Sequence, residues 1–183
     1  MKELSLNILD ITQNSITAGA GEIEIYLVED EDHLLTLTIK DDGCGMSAET
    51  VERVTNPFYT TRTTRKVGMG IPLLKLAAEQ AGGQLKISSV EKKDDTDNHG
   101  TCVVATFHTD NIDFTPIGDI VSTLCVIIQG HPEINYIFRH TSPDLDVSLD
   151  TREMREVLGD DISLGDPEII EWLAGYLKEQ YLN

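Results

Sequence analysis

In the stretch "IKDDGCGM", Asp41 is followed by Gly43 and Gly45. Glycine has no Cβ, so a flat ring can approach the backbone at such positions. A buried carboxylate beside them accepts a hydrogen bond from an exocyclic amine, which selects adenine over guanine. Asn14 offers an amide oxygen, a hard ligand of the kind Mg²⁺ takes beside phosphate oxygens and water. Arg62, Arg65 and Lys66 fall within five positions and are followed by Gly68 and Gly70, just ahead of a helix expected near Ile71. Clustered cations and free N–H groups at a helix start both favour a phosphate tail. From Arg53 to Ala78 there is no Asp or Glu and five bases, in a chain of 32 acids and 14 Lys and Arg. The anion expected there is a triphosphate.

These residues need elements to hold them. Leu4, Ile8, Ile11, Ser15 and Ala18 follow the 4,3,4,3 spacing of one helix face, and Asn7, Asp10, Asn14 and Thr17 follow it one residue earlier, so Asp10 and Asn14 project side by side. For polar residues on an amphipathic helix a solvated face is the ordinary reading. "EIEIYLV" and "LLTLTIK" alternate as strands around the acidic turn "EDEDH" and form a hairpin half-buried against that helix. A helix is expected over 47–55. Another is expected over "IPLLKLAAEQA", with Pro72 near its first turn. "GGQLKISSV" and "GTCVVATF" read as two further strands. The fold class is α+β: helices over a mixed, mostly antiparallel sheet, spanning residues 1–110, with an αββαα appendage over 111–183. In the appendage, Thr115-Pro116 opens a helix running to about Gln129, and "INYIFRH" and "LDVSLD" are short strands. Asp150 and Glu153 cap "TREMREVLG", and Asp166-Pro167 opens a final helix with Ile169, Ile170, Leu173, Tyr176 and Leu177 as its apolar stripe.

Composition removes several function classes. A formal charge of -18 argues against a nucleic-acid surface, which needs many phosphates neutralised on one face. Cys44, Cys102 and Cys125 are too few and too widely spaced for a disulfide framework or a zinc site, which makes the chain cytoplasmic. No apolar run approaches the roughly 20 residues of a membrane span, and no signal peptide precedes the first helix. The five histidines fall in turns, loops and strand ends, where structural or solvated roles prevail. Cys44 is expected as a small buried thiol rather than an oxidation sensor.

No single signal here is specific. "DDG" after a strand is most often a turn, and a glycine pair before a helix is common. GxxxxGK[ST] is absent. GxGxxG does not apply, because Asp41 precedes the glycines instead of following them by about 20 residues. The protein-kinase signatures VAIK and HRD are also missing.

Taken in order, Asp10-x-x-x-Asn14, "DDGCGM", "NPFYTTR", "VGMGIPLL" and "HGTCVVATF" resemble the N box, first glycine box, F box, second glycine box and closing Gly-Thr strand of the GHKL superfamily. That superfamily comprises histidine-kinase ATP-binding domains, anti-sigma serine kinases, type II topoisomerases, mismatch-repair ATPases and a heat-shock chaperone, which share the Bergerat fold. The resemblance covers roughly residues 4 to 108 and is nearest to the histidine-kinase branch. It implies ATP and Mg²⁺ as cofactors, with Asn14 on the metal and Asp41 on the adenine amine. It further implies that Gly43, Gly45 and Met46 shape the base pocket and that Phe58 braces a lid. Arg62, Arg65, Lys66, Gly68 and Gly70 would meet phosphates, and Thr101 would join the Asp41 and water network. Asp10 stands where many relatives put Glu or Asn. It either orients or deprotonates the attacking group or is a helix-face carboxylate beside the metal, and the sequence leaves both open.

Thr17 stands where many kinases put a phosphate-contacting Lys or His, which leaves more phosphate charge to the lid bases and the metal. With 13 residues ahead of Asn14, the two-helix region that carries a kinase's own phosphoacceptor histidine is expected to be missing. The resemblance therefore implies a stand-alone ATP-dependent kinase acting on a separate protein partner. The alternative is a nucleotide-gated interaction module with slow or no hydrolysis. The partner is left unidentified, and a homodimer through the C-terminal region stays open.

Overall fold

Leu4, Ile8, Ile11 and Ser15 recur every three or four residues, which gathers them on one side of a helix. In a computed structural model, which describes residues 3–55, 69–159 and 162–182, they are buried on α1 (Leu4–Thr17). β1 (Glu22–Glu29) and β2 (Leu34–Asp41) form the expected antiparallel hairpin, and alternate residues Ile23, Ile25, Leu27, Leu35, Leu37 and Ile39 are buried. Such alternation sets one face of a sheet on a core and leaves the other outward. α2 (Ala48–Val54) starts after Ser47, whose hydroxyl accepts from Thr50 N–H at 3.2 Å. α3 (Gly70–Gln80) carries Pro72 in its first turn, where the missing N–H breaks no helical bond. β3 (Leu85–Val90) and β4 (Gly100–His108) follow as an antiparallel pair.

Past residue 110 come α4 (Ile120–Gly130), β5 (Asn135–Ser142), β6 (Leu145–Asp150), α5 (Thr151–Leu158) and α6 (Pro167–Leu182). α4 begins later than the sequence suggests, at Ile120 and not at Thr115-Pro116. Asp119 caps it, accepting from Ser122 N–H at 2.9 Å. The preceding residues have other work. The carbonyls of Pro116 and Ile117 accept from the N–H groups of Leu4 and Ser5, each at 2.8 Å. These are first-turn donors of α1 that the Glu3 side chain does not cap, so the segment satisfies groups that would otherwise be left without a partner. Helix geometry at 116–117 would remove those acceptors.

The strands form one sheet in the order β3-β4-β2-β1-β5-β6. β1 and β5 run parallel, with Tyr26 opposite Arg139, and the other neighbours are antiparallel, so the sheet is mixed and mostly antiparallel as expected. α1 packs on β2, α3 on β3 and β4, and α4 on α1, while α6 lies against α4 and β6. The core between them joins Leu4 and Ile8 to Leu37, Phe107, Tyr136, Phe138, Leu173 and Leu177. Each such side chain contributes roughly 1.5–3 kcal/mol by leaving water.

Candidate functional site

β2 delivers two adjacent carboxylates to its end, and the strand's alternation gives them different surroundings. Asp41 is on the inward side and only 8% exposed, whereas Asp42 is exposed. Asp42 Oδ1 accepts from the N–H groups of Gly21 and Glu22 at 2.7 and 2.9 Å and so braces the turn between α1 and β1. Asp41 Oδ2 accepts from the Ser15 hydroxyl at 2.6 Å, and Oδ1 accepts from Gly43 N–H at 2.9 Å. An ionised carboxylate offers about four lone-pair sites. Among the described residues two are taken, which leaves acceptor capacity at a nearly buried position.

The turn after Asp41 is clamped on several sides. Cys44 N–H donates to Ala18 O at 2.9 Å, Lys92 N–H donates to Cys44 O at 3.0 Å, and His99 Nδ1 donates to Gly43 O at 2.6 Å. Gly45 has φ +70°, and a Cβ there would overlap the Val90 carbonyl oxygen. At Gly43 a Cβ would crowd Ala18 and the Asp41 carboxylate. These two glycines are thus required first by the chain's own contacts. Met46 N–H donates to Ser89 Oγ at 2.8 Å. Ser89 donates in turn to Gly100 O at 3.0 Å and shares a 2.8 Å hydrogen bond with the Thr101 hydroxyl. Thr101 is the register partner of Asp41 across β2 and β4, so the Ser89 network and the carboxylate flank one strand pair.

Asp10 and Asn14 are both exposed on α1, and Ser15 ties that helix directly to Asp41. Asp10 also meets the start of α3: a Cβ on Gly70 would crowd the Asp10 Cβ. Among the described residues no side chain caps α3, and Pro72 lacks an N–H, so the first turn keeps donors without a helical acceptor beside Asp10. Thr17 is exposed and its hydroxyl donates to Gln13 O at 2.8 Å. The structure therefore sets Asp10 against Gly70 and brings Asp41, Gly43, Gly45, Met46 and Thr101 together at the end of β2, with Asn14 exposed on the helix that Ser15 ties to Asp41. Phe58, Arg62, Arg65, Lys66 and Gly68 lie outside the described residues.

No group of three or more His, Cys, Asp and Glu stands ready to hold a metal ion among the described residues. The oxygen donors of Asp10 and Asn14 are nevertheless of the right kind for a hard cation that takes its remaining ligands from phosphate and water. Ser15, Ser89 and His99 form the support of this site and were not assigned to it from sequence. Ser15 did leave a trace, as a polar residue on the apolar face of α1. The expectation of a buried Cys44 is corrected: the thiol is exposed, because its neighbours Gly43 and Gly45 are the ones turned into packed surroundings. Cys102, by contrast, is half-buried, and burial pushes its thiol pKa up.

A family model described as histidine kinase-, DNA gyrase B- and HSP90-like ATPase matches residues 1–111. Sporulation kinase E of Bacillus subtilis is 30% identical over 93 residues, which is 51% of this chain and 12% of that protein. Sensor histidine kinase CpxA of Escherichia coli is 32% identical over 82 residues, 42% of this chain and 18% of the relative. The chain thus spans under a fifth of the length of these relatives. Among solved structures, the MutL ATPase domain of Aquifex aeolicus complexed with ADP covers 86% of this chain, with 69% of that chain aligned, a TM-score of 0.53 and 16% identity, a likeness of fold.

Proposed function

Because the chain belongs to the histidine kinase-, DNA gyrase B- and HSP90-like ATPase family, we propose that it binds Mg-ATP where α1, the end of β2 and the start of α3 meet, and passes the γ-phosphate to a separate protein. The observation that carries this reading is the Asp41 carboxylate. It is nearly buried, is held in place by Ser15 and Gly43, and retains acceptor sites that an adenine amine can fill. Gly43, Gly45 and Met46 form the wall beside it, and Thr101 steadies the neighbouring strand through Ser89. The first turn of α3 at Gly70, which no described side chain caps, suits phosphate oxygens.

Asn14 is the residue we assign to Mg²⁺, which when bound would neutralise charge on the phosphates. Asp10, one turn before Asn14 and against Gly70, is suited to orient the attacking group or take its proton. Five residues assigned on the sequence resemblance complete the reading: Phe58 bracing the site, and Arg62, Arg65, Lys66 and Gly68 at the phosphates. All three cysteines are free, which supports a reducing, cytoplasmic setting. No helix among the described residues is long and apolar enough to cross a membrane.

The test incubates the protein with Mg²⁺ and γ-labelled ATP, with and without lysate of its source cell, and follows label on protein under acid and alkaline conditions. A labelled band that disappears in Asn14→Ala is the expected result, and its acid or alkali lability separates phosphohistidine from phosphoserine. Intact ATP binding with no label on any protein would refute transfer and leave a nucleotide-gated module.

A further inference from the structure

A cavity of about 840 Å³ lies away from the site described above, between the β5–β6 end of the sheet and helices α5 and α6. Its lining is apolar along both helices: Met154 and Val157 on α5, and Ile169, Trp172 and Tyr176 on α6. Trp172 is 56% exposed and stacks on Tyr176 with ring centroids 5.2 Å apart, and Val157 is 87% exposed. The cleft is therefore an open apolar trough, not the enclosed pocket that buries most of a small ligand. Apolar side chains gathered in this way on a chain of net charge -18 mark a surface that is covered in use.

The rim supplies the chemistry of the cover. Glu153 and Glu168 line the trough, and neither carboxylate forms an ion pair among the described residues. Arg139, also in the lining, is held by Asp146 through two hydrogen bonds at 3.0 and 3.2 Å. Residues 111–183 carry fourteen acids against four bases. A second copy of this chain would bring the same excess of negative charge to the trough, whereas a cationic segment is drawn to it. A strand is also an unsuitable occupant. β6 is the edge of the sheet, but its Ser148 N–H and C=O are already taken by the Gln180 side-chain amide, at 2.9 and 3.1 Å. A helix needs no backbone partner and lays one apolar ridge into a trough.

We propose that the trough between α5, α6 and the β5–β6 edge docks an amphipathic helix of a partner protein, with its apolar ridge against Trp172, Val157 and Met154 and its basic flanks toward Glu153 and Glu168. This surface is separate from the nucleotide site, and the test contains no nucleotide, so its outcome is independent of ATP binding.

Trp172 is the one tryptophan of the chain and reports directly on the trough. The probe is a synthetic peptide of about 18 residues, long enough to form a helix once its apolar ridge is docked, with Leu at i, i+3, i+4 and i+7 and Lys elsewhere. A matched peptide carries Glu in place of Lys. The expected result is a saturable blue shift of Trp172 emission with the Lys peptide, weakened by salt, and none with the Glu peptide. Val157→Asp, at an exposed position, should weaken the Lys peptide at least about tenfold even though it adds negative charge, because a carboxylate then has to be buried under the ridge. Unchanged or tighter binding by that variant would mean attraction to the acidic surface at large and would overturn the proposal. So would equal binding of both peptides, no shift with either, or a concentration-dependent dimer that buries Trp172 without peptide.

Discussion

Replacing Asp41 by Asn separates the two duties of that carboxylate. The substitution keeps the shape: an amide oxygen can still accept from Gly43 N–H, and the Ser15 hydroxyl can turn to accept from the new amide nitrogen. The fold then loses only the difference between charged and neutral hydrogen bonds, roughly 1–2 kcal/mol. For a chain of this size that lowers the melting temperature by about 2–8 °C. An adenine amine fares worse, because it meets a second donor at a nearly buried position in place of a charged acceptor. That loss is about 2–4 kcal/mol, or roughly 30- to 1,000-fold in affinity. The assay is titration calorimetry of Mg-ATP and Mg-GTP against wild type and variant, beside a thermal melt of each. ATP affinity should fall by that factor while GTP, whose ring carbonyl can accept from the new amide, falls less or rises. Unchanged ATP affinity in a folded variant would refute the assignment of Asp41 to the base. Equal losses for both nucleotides would mean that Asp41 acts through the fold alone.

Two further substitutions and one pH series test the framework. Gly45→Ala should cost more in denaturant unfolding than the roughly 1–3 kcal/mol of its positive φ alone, since overlap with the Val90 carbonyl also opposes a side chain. Gly175→Ala, inside α6 where an added Cβ meets nothing within 4 Å, should instead stabilise by roughly 0.5–1 kcal/mol. Burial pushes the His140 pKa down, with Glu29 pulling weakly the other way, so the folded state favours the neutral ring that shares a 2.9 Å hydrogen bond with Tyr181. Its contribution is present above the unfolded pKa of about 6.5 and is lost as pH falls through the lowered folded value. The melting temperature should therefore drop from pH 7 to 5 more steeply in wild type than in His140→Phe, and parallel curves would contradict this account.

Much of this architecture follows from local pattern. The period of Leu4, Ile8 and Ile11 and the alternation of "EIEIYLV" and "LLTLTIK" are enough for α1, β1 and β2, because each depends on one face finding apolar neighbours. That α1 meets both Gly70, through Asp10, and Asp41, through Ser15, was legible only through the order of the motifs. Other features leave no local signal. The late start of α4 depends on donors of Leu4 and Ser5, more than a hundred residues earlier, and the exposure of Cys44 depends on what Ala18 and Val90 do to its neighbours. Ser89 reads as an ordinary strand residue until β3 is laid beside β4, and His99 as a loop residue until its ring reaches Gly43. The parallel seating of β5 beside β1 is likewise a long-range pairing that neither strand announces.

That seating also sets a timetable for synthesis. β1 is complete at Glu29, but the strand that covers its second side begins only at Asn135. At typical elongation rates of about 5–20 residues per second, on the order of ten seconds separate the two. Through that interval a growing chain holds an eight-residue strand, alternately Ile, Ile and Leu on one side, with open backbone donors and acceptors along its length. Polysomes carrying many such chains close together would be where mispairing between copies begins. The last seventy residues thus act toward the first hundred as a late-arriving guard, and a ribosome that stalls between Asp110 and Asn135 leaves the edge unattended.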